Sequence, residues 1–423
     1  MLRKIRRTPL FRIASLNGLS VVIKIVVGLA SSKIIAVFVG PAGMALVGNL
    51  RNFTTSAESL ATLGLQNGIV KYVAENSEKR EKLREILSTV FIALACVGVV
   101  LSSTLYFLAD YWSKLILDDS DNYGIVFKIL AIALPWSALS VFGISVINGL
   151  GKYKKVILIT ISGNILGLIV TATLILWLHT MGALLSIIIA PSLLLLVTLL
   201  FLNKEIAILG TISVKYFNFG MLRNLSFYSL MTFVPVIIGP IVYLAIRNHL
   251  IDSNGVEAAG YWEAITRIST YYLMFITTLL TVYYLPKLAL AQNDNATKKI
   301  FFNYYRGVLP YFILGAIVIY IFREFIISLL FTAEFSAVSD LFIWQLLGDV
   351  FKAASLILGY QFFAKNLIKA FIVTEMISFA VLYFSSIFAV TVWGLEGVVM
   401  AYFFTYFVYL LVLVVYFRRL IFA

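Results

Sequence analysis

Long apolar segments alternate with short polar segments along nearly the whole chain. Each apolar segment approaches or exceeds the roughly 20 residues that a helix needs to cross the hydrocarbon layer of a membrane. The pattern predicts an all-α polytopic membrane protein with about twelve transmembrane helices. The predicted spans are residues 13–39, 43–70, 86–109, 124–147, 155–178, 181–203, 224–248, 259–286, 301–322, 338–363, 367–390 and 395–417.

Composition supports this prediction, because 61% of the 423 residues are hydrophobic and only 13% are charged. Such a balance is too apolar for a soluble domain with a wetted surface. The net charge of +13 comes from basic residues in short segments between the spans, so we expect no nucleic-acid partner. The single cysteine, Cys96, excludes an internal disulfide, and we expect it to be a small core residue.

Lysine and arginine are concentrated in alternate connections between the spans. The basic connections carry Arg3, Lys4, Arg6 and Arg7, then Lys71, Lys79, Arg80, Lys82 and Arg84, then Lys152, Lys154 and Lys155, then Lys204, Lys215 and Arg223, then Lys287, Lys298 and Lys299, then Lys365, and finally Arg418 and Arg419. The opposite connections carry mainly aspartate and glutamate. The positive-inside rule therefore predicts that both termini lie in the cytoplasm, which requires an even number of spans.

The basic connection at residues 204–223 separates six predicted spans from six. We therefore predict an N-terminal six-helix lobe at residues 1–203, a cytoplasmic linker at 204–223 and a C-terminal six-helix lobe at 224–423. An even number of spans gives both lobes the same orientation in the membrane. Parallel repeats of this kind are one recurring plan for transporters.

Ionised side chains lie inside several predicted spans, where each charge costs several kcal/mol unless it faces a wet or protein-lined interior. In the second span, Arg51, Thr55, Glu58 and Thr62 recur at intervals of three or four residues, which places them on one helical face. Similar stripes occur in the eighth and tenth spans. Polar stripes from both halves predict a central cavity between the two lobes. The charged residues within spans are Lys24, Arg51, Glu58, Glu263, Arg267, Asp349, Lys352 and Glu375.

Several of these charges have two possible roles. Glu263 with Arg267 and Asp349 with Lys352 are spaced four and three residues apart, so each pair can neutralise itself within one helix or contact a ligand. Glu375 can be a protonatable coupling site or the partner of a lysine on another helix. The spacing alone does not decide between these alternatives.

Lys24 and Arg51 have no residue of opposite charge within one turn of the same helix, which favours them as cations that face a ligand. Arginine binds phosphate oxygens in bidentate fashion and lysine adds a mobile point charge, so an acidic or phosphorylated cargo is expected. The substrate-binding candidates are Lys24, Arg51, Arg267 and Lys352. The coupling or gating candidates are Glu58, Glu263, Asp349 and Glu375.

No enzyme signature is present in the sequence. His179 and His249 lie apart from clustered metal ligands, and no glycine-rich phosphate loop occurs, so we expect no catalytic residue, metal site or cofactor. Two functions other than transport of an acidic cargo stay open. One is a proton- or sodium-coupled multidrug exporter, and the other is a membrane glycosyltransferase or polymerase.

Four segments closely resemble a known family of transporters. They are VGPAGMALVGNLRNF after the first span, NGIVKYVAE at the end of the second, and TAEFSAVSDLF and FIWQLLGDVFKAASLILGYQFFAK at the tenth. The chain resembles the Wzx-type flippases, which include the O-antigen and enterobacterial common antigen translocases of the multidrug/oligosaccharidyl-lipid/polysaccharide exporter superfamily.

The resemblance implies two six-helix lobes around a V-shaped cavity in the bacterial inner membrane. It also implies a cargo of undecaprenyl pyrophosphate carrying one oligosaccharide repeat unit, moved from the cytoplasmic to the periplasmic leaflet by alternating access. The implied partners are this lipid-linked glycan and membrane lipid, with the polysaccharide polymerase and the chain-length regulator as further candidates. The choice between O-antigen and enterobacterial common antigen stays open.

Overall fold

The computed structural model describes residues 9–117, 123–202 and 212–422, and within these ranges it contains helices and no β-strand. This confirms the predicted all-α fold. The predicted basic residues 3–7, the acidic residues 118, 119 and 121, and Lys204 in the linker lie outside the described residues. The helices are α1 (Pro9–Ala61), α2 (Gln66–Glu75), α3 (Arg80–Phe107), α4 (Ala109–Ile116), α5 (Gly124–Gly149), α6 (Tyr153–Leu202), α7 (Phe219–Asn254), α8 (Val256–Leu279), α9 (Leu285–Leu290), α10 (Asp294–Gly307), α11 (Leu309–Ile321), α12 (Arg323–Leu330), α13 (Val338–Ala364), α14 (Ile368–Tyr416) and α15 (Arg418–Phe422).

Among the described residues, ten helical segments are long and apolar enough to cross a membrane. Two of them, Leu16–Glu75 with 60 residues and Tyr153–Leu202 with 50 residues, are at least twice as long as one crossing requires. Each contains a residue with non-helical torsion angles, Gly40 in the first and His179 in the second. Each segment therefore holds two spans, which confirms the prediction of about twelve.

The contacts within α6 show that the chain reverses direction near His179. Gly163 packs against Leu194, and Gly182 lies against the backbone of Leu174. These residues are paired symmetrically about position 179, as in two antiparallel helices joined by a tight turn. The close approach at Gly182 leaves no room for a side chain, because a Cβ atom there would overlap the carbonyl oxygen of Leu174.

The chain forms two compact units. The first is drawn from Met1–Ser31 and Asn49–Pro240, and the second from Ser32–Gly48 and Ile241–Ala423. The predicted boundaries of the two lobes and the linker stay a prediction. The end of the predicted linker is attached to α3 of the first unit, because the backbone amide of Asn218 donates to Thr89 Oγ1 at 3.0 Å.

Many large apolar side chains point away from the protein interior, as expected where helices face lipid. Phe107 on α3, Trp177 on α6 and Phe384 on α14 are examples. Cys96 is also exposed on α3, so the expectation that it is a core residue is wrong. Hydropathy identifies a span but does not distinguish its lipid-facing side from its protein-facing side when both are apolar.

The close contact at Gly182 generates a prediction about stability. Replacing Gly182 with alanine should force the two arms of α6 apart and destabilise the fold by about 1–3 kcal/mol. The measurement is thermal unfolding of the purified protein in detergent. Gly315→Ala in α11 is the matched control, because a Cβ atom there meets no atom within 4 Å. Equal unfolding midpoints for the two variants would contradict this account of the hairpin.

Candidate functional site

Two arginines share one carboxylate in the interior of the second unit. Glu263 on α8 accepts from Arg247 on α7 at 2.7 Å and from Arg267, one turn along α8, at 2.9 Å. We call these residues the buried triad. All three are buried, with exposed fractions of 1% for Arg247, 3% for Glu263 and 6% for Arg267. Buried charges of this kind are stable only when they are paired and hydrogen-bonded.

The first helix contributes backbone and side-chain contacts around the buried triad. Arg267 donates to Ser32 Oγ at 3.3 Å, and that hydroxyl lies 3.2 Å from the Tyr271 hydroxyl. Gly48 lies so close to the triad that a Cβ atom there would overlap the Arg247 guanidinium and the Glu263 carboxylate. Segment Ser32–Gly48 is thereby packed against α7 and α8.

Asp349 on α13 forms a second polar cluster in the same unit, held by hydroxyl groups. It is fully buried, and it accepts hydrogen bonds from Ser269 at 2.7 Å, from Tyr402 at 2.7 Å and from Tyr272. These donors come from α8 and α14. We call Asp349 and its three hydroxyl donors the Asp349 cluster. Its carboxylate is solvated by protein hydroxyls in place of water.

Lys352 lies one turn after Asp349 and is surrounded by tyrosines of α14. Its ammonium group is 3.3 Å from the Tyr402 hydroxyl and 4.8 Å from the centre of the Tyr406 ring. Within the described part of the chain, no ion pair joins Lys352 directly to Asp349. The intrahelical pairing that the spacing allows is replaced by a shared contact with Tyr402.

Glu375, the isolated carboxylate of the eleventh span, also meets a tyrosine. It is half-buried on α14 before the kink at Gly394, and it accepts from Tyr409, which lies beyond that kink, at 2.6 Å. Tyr402, Tyr406 and Tyr409 recur at four and three residues, so they share one face of α14. This face provides hydroxyl partners for a lysine and two carboxylates.

The predicted site residues of the first unit are more accessible than the buried triad. Lys24 is exposed on α1, and Arg51 and Glu58 are half-buried further along the same helix. Thr55, between the two, donates to the Arg51 carbonyl at 2.8 Å. Arg51, Thr55 and Glu58 therefore lie on one helix as the spacing predicts, and Thr62 of the predicted stripe follows the end of α1.

The helix that carries Arg51 and Glu58 is interrupted immediately after them. Leu63 and Gly64 both adopt positive φ angles, of 51° and 60°. The Leu63 amide donates to the Leu60 carbonyl and the Gly64 amide donates to the Ser59 carbonyl, which is the Schellman pattern of a helix C-terminus. Leu63 occupies the position at which glycine is normally preferred.

A polar cavity of about 180 Å³ lies at this interruption, within the first unit. We call it the Glu58 cavity. It is lined by Thr55, Glu58, Ser59, Thr62, Gly64, Gln66 and Asn67, together with Val141 on α5 and Val236 on α7.

The pattern of charges within spans does not identify Arg247, which lies at the end of the predicted seventh span. Its partner lies 16 residues away on another helix, so no local spacing indicates the pair. The tyrosines around Asp349 and Lys352 were also missed. Tyr402, Tyr406 and Tyr409 recur at the spacing of one helical face, which the sequence shows, but the pattern of charges does not include them.

Comparisons with known proteins identify relatives along most of the chain. A family model described as polysaccharide biosynthesis protein matches residues 34–340. The lipid III flippase of Escherichia coli (strain K12) is 28% identical over 397 residues, covering 92% of this chain and 94% of that protein. The lipid III flippase of Shigella flexneri matches to the same extent. These matches confirm the resemblance noted in the sequence.

Solved structures identify the fold. An inward-facing multidrug resistance MATE family transporter of the MOP superfamily has a TM-score of 0.78 and 15% identity, with 94% of each chain covered. Lipid II flippase MurJ in an inward closed conformation has a TM-score of 0.71 and 16% identity, covering 95% of this chain and 87% of that one. The chain therefore has the fold of MOP superfamily transporters.

The buried triad generates a prediction about stability. Glu263→Gln keeps the shape of the side chain but leaves two buried guanidinium groups without a carboxylate, which should destabilise the protein by about 3–5 kcal/mol. Thermal unfolding in detergent measures the change. Glu75→Gln is the control, since Glu75 forms an exposed pair with Lys71 at 3.9 Å and its loss should cost less than about 1 kcal/mol. An unchanged midpoint for Glu263→Gln would refute the importance of the triad.

Proposed function

The chain belongs to the polysaccharide biosynthesis protein family, and we propose that it is a flippase for lipid-linked oligosaccharides in the bacterial inner membrane. Its cargo is undecaprenyl pyrophosphate carrying an oligosaccharide repeat unit, which moves from the cytoplasmic to the periplasmic leaflet. The single observation that carries the proposal is the alignment with the lipid III flippase over 94% of that protein. The fold of MOP superfamily transporters agrees with it.

The pyrophosphate is held by cations that the fold leaves accessible. Lys24 is exposed, and Arg51 and Lys352 are half-buried, so their side chains can reach an anion. Arginine supplies bidentate contacts and lysine a mobile charge. Arg267 is bonded to Glu263 and Ser32 in this conformation, so its role in substrate binding requires a rearrangement of the buried triad.

Translocation proceeds by alternating access, in which the cargo head meets the same protein groups first from one side of the membrane and then from the other. Both termini face the cytoplasm, as the distribution of lysine and arginine predicts. Glu375 is the preferred coupling carboxylate, because it is half-buried and has one hydroxyl partner, Tyr409. Asp349 is fully buried and satisfied by three hydroxyl groups, and it serves to position α8, α13 and α14.

A multidrug exporter is the rival function, because several solved structures with this fold are multidrug transporters. Those structures are 13–15% identical to this chain and bear on the fold alone. The two functions differ in their cargo. An exporter changes the cellular accumulation of lipophilic cations, whereas a flippase changes the distribution of the lipid-linked glycan between leaflets.

The pyrophosphate contact leads to a prediction for Arg51. Arg51→Ala should reduce translocation of lipid-linked oligosaccharide in everted membrane vesicles at least tenfold, because a charge-assisted hydrogen bond to phosphate is lost. Membrane insertion should be unchanged. Arg306→Ala is the matched control, since Arg306 is exposed on α10 and lies over the Phe302 ring. Full activity of Arg51→Ala would remove the proposed role of this arginine.

The identity of the cargo is tested by native mass spectrometry of the gently extracted protein. We expect a bound lipid whose mass equals undecaprenyl pyrophosphate plus a short glycan. The same protein extracted from cells that lack the glycan pathway should lose this adduct and retain ordinary phospholipid. Co-purification of phospholipid alone from both strains would count against the flippase proposal.

A further inference from the structure

The Glu58 cavity differs chemically from the cationic groups assigned to the pyrophosphate. Among the residues that the structure describes, its lining contains hydroxyls, amides and one carboxylate, with no lysine or arginine. The Glu58 carboxylate repels a phosphate, and a prenyl chain would leave the carboxylate, hydroxyl and amide groups of the lining without hydrogen-bond partners. Neither the pyrophosphate nor the prenyl chain of the proposed lipid therefore matches this cavity.

The lining offers a mixture of hydrogen-bond donors and acceptors. Gln66 and Asn67 are exposed at the start of α2, and within the described part of the chain neither side chain has a hydrogen-bond partner. Each of their amides provides two donors and an acceptor oxygen. Thr55 and Thr62 use their hydroxyl protons for backbone carbonyls, so they offer only acceptor lone pairs to a ligand. Glu58 adds a further acceptor.

This mixture is complementary to a ligand whose groups each donate and accept. An anion needs donors alone, and a bound metal cation needs oxygen ligands alone. A sugar hydroxyl both donates and accepts, and it binds best where amides and carboxylates alternate. Val141 and Val236 add an apolar wall against which a ring can pack.

The volume suits one sugar ring. The Glu58 cavity measures about 180 Å³. This is smaller than the sites of about 300 Å³ or more that enclose drug-sized ligands. The cavity is therefore of a size for one ring, and the rest of an oligosaccharide would lie outside it.

We propose that the Glu58 cavity is a glycan subsite that binds one sugar ring of the lipid-linked cargo. This inference rests on the proposed flippase function and adds the residues that recognise the glycan. Interrupted helices in transporters commonly present backbone and side-chain groups to a substrate, and the break at Leu63 and Gly64 places Gln66 and Asn67 beside Glu58.

The experiment compares two lipids on the reconstituted full-length protein. The probes are undecaprenyl pyrophosphate and undecaprenyl pyrophosphate carrying one N-acetylhexosamine. The wild-type protein should bind the glycosylated lipid more tightly than the sugar-free lipid. The double variant Gln66→Ala/Asn67→Ala should bind the glycosylated lipid roughly tenfold more weakly than wild type, because two hydrogen bonds to the sugar are lost. Its affinity for the sugar-free lipid should be unchanged.

Two further variants complete the test. Glu58→Gln keeps the shape of the cavity. It should also weaken binding of the glycosylated lipid and leave binding of the sugar-free lipid unchanged. Gln292→Ala, in an exposed turn between α9 and α10, is the matched control and should affect neither lipid. The subsite is overturned if the double variant loses the same amount of affinity for both lipids. It is also overturned if the double variant binds both lipids as tightly as wild type does.

The outcomes separate the subsite from the proposed function. If wild-type protein binds both lipids equally well, the subsite is refuted and the flippase proposal stands. If wild-type protein binds neither lipid, both are refuted. In another outcome, the affinity of the Gln66→Ala/Asn67→Ala variant for both lipids depends on sodium concentration and the sugar has no effect on affinity. That outcome would assign the cavity to a cation and overturn the proposal.

Discussion

The cost of placing a charge within a membrane is the constraint on which the rest of this structure depends. Glu263 meets it by accepting from two arginines at once, and the surrounding chain is arranged to permit this contact. Gly48 has no side chain because the Arg247 guanidinium and the Glu263 carboxylate occupy the space. Ser32 bonds to Arg267, and the Trp262 ring lies 5.2 Å from the Arg247 guanidinium. The buried triad is thereby packed against residues of α1, α7 and α8.

The charges of the buried triad and of the candidate site fall into two classes that differ in burial. The buried triad and Asp349 are fully enclosed and satisfied by protein groups, so they organise the packing of the second unit. Lys24, Arg51, Glu58, Lys352 and Glu375 are exposed or half-buried, and they remain accessible to a ligand. A transporter requires both classes. Enclosed charges hold helices in register, and accessible charges exchange partners as the cargo moves.

Two interruptions of regular α-helix lie beside polar groups. The positive φ angles at Leu63 and Gly64 open the end of α1 beside Glu58. A π-helical turn at Leu280–Tyr284 joins α8, which carries Glu263, Arg267 and two donors to Asp349, to α9. Non-helical backbone is tolerated at membrane depth only where it is buried in protein or lines a polar cavity. The break at Leu63 and Gly64 meets this condition, because Gly64 lines the Glu58 cavity.

The sequence by itself determined the spans, because hydropathy and helix length are local properties that about 20 consecutive residues express. Span 338–363 predicts helix Val338–Ala364 almost to the residue. The sequence also identified which charges lie within spans and the family resemblance.

Only the tertiary structure decided the partner of each charge. The spacing of Asp349 and Lys352 allowed an intrahelical pair, but hydroxyls from α8 and α14 bind the carboxylate instead. Arg267 bonds to Ser32, 235 residues away. Partners of this kind are set by which helices pack together, and a local pattern contains no record of that packing.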